Sequence, residues 1–295
     1  MKKDQTFSRG MMLVAVLGIV AAFALVCGCT GSSDTPTASS GTGQSTGIRT
    51  ISVTGSTTVL PAAQAAAESF MMEDKSADIM VSGGGSSVGV QAVGEGTADI
   101  GMASRELKDS EKEKYPGLVQ HVIARDGIGV IIYKDNPVES LTIDQLKSIY
   151  KGEVTNWNEV GGDDMEIVVV GRDSSSGTRE TFSELVMDKE DFVATQMEKN
   201  SNGAVQQTIV NTPGAIGYVG LGYIDDTIKP VQIDADGNRI MPSVENVQNG
   251  SYPIARSLNM FTNGEATGLS KDYIDFILSS DGQAIIEEEG FVCVN

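Results

Sequence analysis

From Ile48 onward, short β-branched and apolar runs alternate with stretches of helical composition, and this alternation narrows the fold more than any other feature of the chain. It predicts strands at residues 48–53 and 77–81, each followed by a helix, at 61–72 and 88–94. A nearly continuous extended segment covers 118–124 and 127–133, then a turn at Asp135-Asn136-Pro137 leads to a helix at 143–150. Further strands are expected at 167–170 and 215–219, with a helix at 178–185 and a hairpin from 230–233 and 238–242 turning at Asp236-Gly237. A second extended crossing at 252–261 and two helices at 271–278 and 282–289 close the chain. Strands that alternate with helices point to an α/β fold with largely parallel sheets. At roughly 100–200 residues per domain, 295 residues allow one large or two medium domains.

The N-terminus stands apart from this pattern. Lys2, Lys3 and Arg9 precede an apolar run at 11–26 that ends in small residues, which is the layout of a secretory signal. A membrane-spanning helix needs about 20 apolar residues, so a permanent span is the lesser alternative. The run meets Val26-Cys27-Gly28-Cys29-Thr30, which resembles a lipobox. The resemblance implies a signal peptide at 1–28 and a lipid on Cys29, anchoring a mature chain to the outer face of the cell membrane; a plain cleaved signal with an incidental cysteine is the other reading. Residues 29–47 are almost wholly small and polar and are expected to form a flexible tether. Only Cys293 then remains in the mature domain, which excludes an intramolecular disulfide, and it reads as a small buried hydrophobe rather than a nucleophile.

Removing residues 1–28 takes away three basic and one acidic residue, leaving 18 basic against 39 acidic and a net charge of −21. Nucleic-acid binding is not expected of such a chain. It repels anions at long range, so any anion site must work through short-range hydrogen bonds and aligned backbone dipoles.

Three strand-to-helix junctions share one composition. They are Thr54-Gly55-Ser56-Thr57-Thr58, Ser82-Gly83-Gly84-Gly85-Ser86-Ser87 and Ser174-Ser175-Ser176-Gly177-Thr178. A helix N-terminus exposes unpaired N–H groups and carries about half a positive charge. Glycine lets an anion approach the backbone and hydroxyls add donors. Singly, each junction is an ordinary helix cap. Three in one chain, at the strand ends where open α/β sheets hold their ligands, suggest an oxyanion site. Arg172 lies just before the third junction, Arg179 just after it, and Arg105 follows the segment 98–102; a guanidinium can give two parallel hydrogen bonds to a phosphate.

These segments carry a resemblance to the phosphate-binding proteins of ABC phosphate transporters, from about Ile51 to the C-terminus. The matching pieces are Gly55-Ser56-Thr57-Thr58-Val59-Leu60-Pro61, Gly85-Ser86-Ser87-Val88-Gly89-Val90, Ala98-Asp99-Ile100-Gly101-Met102-Ala103-Ser104-Arg105, Thr155-Asn156-Trp157, Gly171-Arg172, Ser176-Gly177-Thr178-Arg179 and Tyr252-Pro253-Ile254. The resemblance implies a two-lobed Venus-flytrap fold of the periplasmic-binding-protein class II type, with two crossing hinge strands. It implies lobe I at 48–127 and 256–295, and lobe II at 128–255. It assigns phosphate contacts to Thr58, Val59, Ser86, Arg172, Ser176, Gly177 and Thr178, to which the neighbouring Thr57, Ser104 and Arg105 are added as candidates. It also implies capture of inorganic phosphate by a monomer, without enzymatic activity, and delivery to the permease subunits of an ABC importer.

One departure bears on selectivity. The family places an aspartate after the strand matching 98–102, where it accepts the proton of hydrogen phosphate, whereas here the chain reads Ser104-Arg105-Glu106. It also pairs its arginine with an acid two positions on, where this chain has Ser174. Glu106 and Asp173 are the candidates for the missing acceptor. Sulfate, molybdate and tungstate are alternative tetrahedral ligands. A rival of another class is a serine hydrolase using Ser87, since Gly85-Ser86-Ser87-Val88-Gly89 fits G-x-S-x-G. Its base would have to be His121, the one histidine of the chain. No cofactor and no metal site is expected: acidic clusters such as Glu287-Glu288-Glu289 read as a solvated helix face.

Overall fold

The computed structural model describes residues 47–294, so the expected signal, Cys29 and nearly all of the tether lie outside it. No helix among the described residues is long and apolar enough to cross a membrane. The chain begins with β1 (Arg49–Gly55), α1 (Leu60–Glu73), β2 (Ala77–Gly83), α2 (Ser86–Gly94), β3 (Ile100–Ala103) and α3 (Asp109–Lys114). A 15-residue strand, β4 (Leu118–Ile132), is followed by β5 (Ser140–Thr142), α4 (Ile143–Lys151), β6 (Val168–Arg172), α5 (Gly177–Leu185) and β7 (Met197–Lys199). Then come α6 (Asn202–Asn211), β8 (Ala215–Gly220), the hairpin β9 (Lys229–Ala235) and β10 (Asn238–Ile240), and α7 (Val244–Gln248). The chain closes with β11 (Ala255–Asn263), α8 (Gly268–Leu278) and α9 (Ser280–Glu288).

The strands run in the order β2-β1-β3-β11-β4-β8-β6-β7. Pairing is parallel at both ends, where helices cross over, and antiparallel through β3, β11, β4 and β8 in the middle. The sheet is therefore less parallel than the alternation of strands and helices suggests, because β4 and β11 are long connections rather than members of a βαβ unit. β4 pairs with β11 over Leu118–Gly127 and then changes partner to β8 over Ile128–Ile132.

Each end of the sheet has its own apolar core. One gathers Val53, Ile79, Ile100, Met102, Leu258, Tyr273 and Phe291. The closing helices join it, with Tyr273 donating to the Ala63 carbonyl at 2.6 Å and Phe276 edge-on to Phe70. Cys293 packs against it only partly buried, less enclosed than its apolar setting suggests, with its thiol donating to the Gln283 carbonyl at 3.3 Å. The other core holds Trp157, Tyr150, Phe182, Tyr218 and Ile233; Phe182 stacks on Tyr218 with ring centres 4.2 Å apart, and Trp157 donates to the Gly214 carbonyl at 2.8 Å.

The seating of α2 depends on backbone contact. A Cβ on Gly89 would lie 2.6 Å from the Met102 carbonyl oxygen, 2.7 Å from that of Thr54 and 2.9 Å from Gly55 Cα. Backbone atoms cannot yield as side chains do, so the last glycine of the G-x-S-x-G pattern is a packing requirement. Gly89→Val is expected to lift α2 from β1 and β3 and to lower stability by at least about 1–3 kcal/mol. An unchanged denaturant midpoint for that variant would show that α2 is not held this closely.

Candidate functional site

The three predicted junctions converge at the C-terminal ends of their strands. Thr58, ahead of α1, and Thr178, in the first turn of α5, approach to 3.2 Å between hydroxyl oxygens although 120 residues separate them. Ser86, at the start of α2, and Ser104, just beyond β3, lie 3.3 Å apart, and the Ser104 N–H donates to Ser86 Oγ at 3.1 Å. Gly177 sits against that pair, since a Cβ there would run into Ser86 Oγ and lie 2.9 Å from Ser104 Oγ. The junctions also bind one another, with Ser87 N–H donating to the Ser175 carbonyl at 3.0 Å and Ser175 Oγ to the Gly84 carbonyl at 3.2 Å.

The local chemistry explains each element. Ser56 Oγ accepts from the Thr58 and Val59 amides and turns the chain into α1. Val59 itself is buried in the first core, so it can offer the site only its backbone. Gly85 has φ +99° and Gly55 φ +136°, values that suit glycine. Ser176 caps α5, its Oγ accepting from the Arg179 amide at 3.2 Å.

Arg172 is 1% exposed. Its Nε donates to the Lys199 carbonyl, and its Nη2 to the Asn200 carbonyl and to Thr57 Oγ1 at 3.3 Å. Burial lowers its pKa, and the nearby Tyr218 and Asp173 oppose that shift. Its Nη1, like Nη1 of Arg256, is buried without a hydrogen-bond partner. Buried donors left free beside hydroxyls and helix N-termini suit an anion held by several short hydrogen bonds.

Four further residues complete the cluster and escaped the sequence reading. Asn202, wholly buried at the start of α6, donates through Nδ2 to Thr57 Oγ1 at 3.1 Å and to Thr58 Oγ1 at 3.0 Å. Tyr223 donates to the Thr57 carbonyl at 2.6 Å. Asp126 on β4 accepts from Arg256, its direct partner on β11, at 2.8 and 3.0 Å, and from the Leu221 amide at 2.9 Å. Arg256 Nη2 reaches on to Thr58 Oγ1 at 3.2 Å. Burial raises the Asp126 pKa and lowers that of Arg256, and their contact opposes both shifts. One signal was available for Asp126: a carboxylate inside the otherwise extended, largely apolar run 118–133.

Other expected residues face elsewhere. Arg105 is buried, and Glu111 accepts from both its terminal nitrogens at 2.7 Å, which also donate to the Glu106 carbonyl and Ser87 Oγ, while its Nε is left buried without a partner. Glu106 is exposed and accepts from Gln120 and Ser257, and Asp173 accepts from the Ser175 amide and hydroxyl, both through Oδ1. Arg179 donates to the Arg172 carbonyl and lies over the Phe192 ring. His121 pairs with Thr262 at 2.9 Å while the Ser87 hydroxyl meets Arg105, an arrangement unlike a serine–histidine couple. A cavity of about 470 Å³ lies beside the cluster, bounded in part by Arg105, Lys108, Glu180 and Arg256, with Lys108 and Glu180 paired at 2.5 Å.

Comparison with known proteins gives the same direction. A profile of the PBP superfamily domain matches residues 40–281. Phosphate-binding protein PstS of Bacillus subtilis (strain 168) is 36% identical over 286 residues, covering 96% of this chain and 93% of the relative. Its namesake in Borreliella burgdorferi is 32% identical over 250 residues, covering 82% and 89%. A crystal structure from Clostridium perfringens, described as a phosphate ABC transporter substrate-binding protein with bound phosphate, is similar with a TM-score of 0.80 at 39% identity, covering 84% of this chain and 100% of that one. An ABC-type phosphate transport receptor from Vibrio cholerae has a TM-score of 0.68 at 31% identity, covering 83% and 100%.

The Arg105–Glu111 pair has a pH signature. Burial by itself would raise the Glu111 pKa, but hydrogen bonds from Arg105 and the Lys108 amide outweigh it and hold the carboxyl below its ordinary value. A carboxylate depressed in the folded state stabilises above its unfolded pKa, about 4.3, and loses that contribution as pH falls through the folded value. Urea midpoints of the parent and Glu111→Gln should therefore differ at pH 6 and converge toward pH 3. A gap that stays constant with pH would mean that the pair does not carry this linkage.

Proposed function

Because the chain belongs to the phosphate-binding proteins of ABC phosphate transporters, within the PBP superfamily, we propose that the converging loops hold inorganic phosphate and that the protein captures it outside the cytoplasm for an ABC importer. The observation that carries this reading is the meeting of Thr58, Ser86, Gly177 and Thr178 at the N-termini of three helices, with the buried Arg172 beside them. Phosphate takes hydrogen bonds from the hydroxyls of Thr57, Thr58, Ser86, Ser104, Ser176 and Thr178, from the backbone at Val59 and Gly177, and from the free nitrogen of Arg172. Aligned N–H groups and one guanidinium replace its hydration shell, so the site works despite the acidic surface. Arg105, its two terminal nitrogens paired with Glu111, supports the loop from behind.

We take the change of partner along β4 as the lobe boundary, giving lobe I at 48–127 and 256–295 and lobe II at 128–255. On that division the bonds from Asn202, Arg172 and Tyr223 to Thr57 and Thr58, and the Lys108–Glu180 pair, join the lobes in the shut form. The protein acts as a monomer, tethered through a lipid on Cys29 and reaching the permease across residues 29–47.

Calorimetric titration of the mature domain with phosphate, and then with sulfate and molybdate, tests the ligand directly. Removing one hydroxyl that donates to a charged ligand costs roughly 1.5–3 kcal/mol, so Thr178→Ala should weaken phosphate binding about ten- to a hundredfold while stability changes little. Normal binding with early unfolding would instead make this loop a helix cap and nothing more. The anchor has its own test, motivated by Gly28-Cys29 and the tether behind it. Cys29→Ser should move the protein from the membrane fraction to the soluble one; retention in the membrane would make residues 11–26 the anchor.

A further inference from the structure

The hydroxyls of Thr57 and Thr58 do not have free choice of direction. A hydroxyl oxygen has two acceptor positions and one hydrogen. Thr58 Oγ1 lies 3.0 Å from Asn202 Nδ2 and 3.2 Å from Arg256 Nη2, and Thr57 Oγ1 lies 3.1 Å from Asn202 Nδ2 and 3.3 Å from Arg172 Nη2. All of these neighbours are donors. The Asn202 amide cannot be turned over without loss, because its Oδ1 accepts from the Gly220 amide at 3.3 Å. Both acceptor positions of each threonine are thereby occupied from behind, and the hydrogen has to point away from Asn202. For Thr58 that hydrogen faces the side of Thr178 Oγ1, 3.2 Å away, and is passed to a ligand oxygen when one arrives. The Ser86–Ser104 pair differs, since either hydroxyl there can be the donor.

We propose that Asn202 is a positioning residue that locks the Thr57 and Thr58 hydroxyls as donors, so that this wall of the site is preset for ligand oxygens bearing no hydrogen. The inference rests on the phosphate reading above and deepens it: Asn202 sets the direction of the donors without being one of them. Presetting the hydroxyls removes the cost of turning them when the anion arrives.

A double-mutant cycle on the whole mature protein, read by calorimetric titration with inorganic phosphate, isolates this role. Asn202→Ala should weaken phosphate binding about tenfold in the parent, but by less than about twofold in a Thr57→Val/Thr58→Val background, where no hydroxyl is left to orient. The same loss in both backgrounds overturns the proposal and makes Asn202 a structural residue only. Should Asn202→Ala not fold, Asn202→Asp serves: it keeps the size but offers acceptors, so both hydroxyls should turn toward it and phosphate affinity should fall more than a hundredfold. Parent-like affinity in Asn202→Asp would equally overturn the lock. A parent protein that gives no heat with phosphate would instead defeat the phosphate reading, which separates the two failures.

Discussion

On the proposed function, taking a multiply charged anion out of water is the cost that organises this molecule. An isolated buried charge is prohibitively expensive, and a full salt bridge repays its own desolvation only with good geometry. This chain meets the cost mainly with neutral donors. Three helices start at one point, each preceded by a turn of glycine and hydroxyl residues, and their N–H groups need partners whether or not a ligand is present. The close packing of α2 through Gly89 and the positive φ values of Gly55 and Gly85 follow from that demand, because a side chain at any of them would hold the loops apart.

A second constraint lies where β4 and β11 cross. Asp126 and Arg256 face each other in the ladder, fully or nearly buried, and hold opposite parts of the chain. Asp126 accepts from Leu221, beyond β8, while Arg256 donates to Thr58, ahead of α1. Breaking a buried pair of this kind costs about 3–5 kcal/mol, because it leaves one charge unpaired. The pair thus binds the crossing strands to the loop ahead of α1, and any movement about that crossing has to keep the pair intact or meet its cost.

What was legible in the sequence was local. Strand and helix periodicity, the Gly-Ser-Thr turns and the likeness to phosphate-binding proteins each lie within a few consecutive residues, and the chain folds those stretches much as their composition dictates. The short strands β5 and β7, three residues each, carried no periodic signal because they exist only as partners of β9 and β6. Arg105 illustrates the limit from the other side. Its place after a strand suggested a ligand contact, but Glu111, six residues on, folds back at the start of α3 and takes its guanidinium.

By itself, then, the sequence determined the α/β class, the three donor loops and the acidic surface that forces a short-range anion site, since these depend on residue type and near neighbours. Only the tertiary structure decided which polar groups stand behind the loops. Asn202 meets Thr57 and Thr58 across 145 and 144 residues, and Arg256 meets Thr58 across 198. No periodicity encodes such distances. The direction of a hydroxyl is set by whatever donor is packed against its lone pairs, and that neighbour is known only once β4 and β11 have brought the two ends of the sheet together.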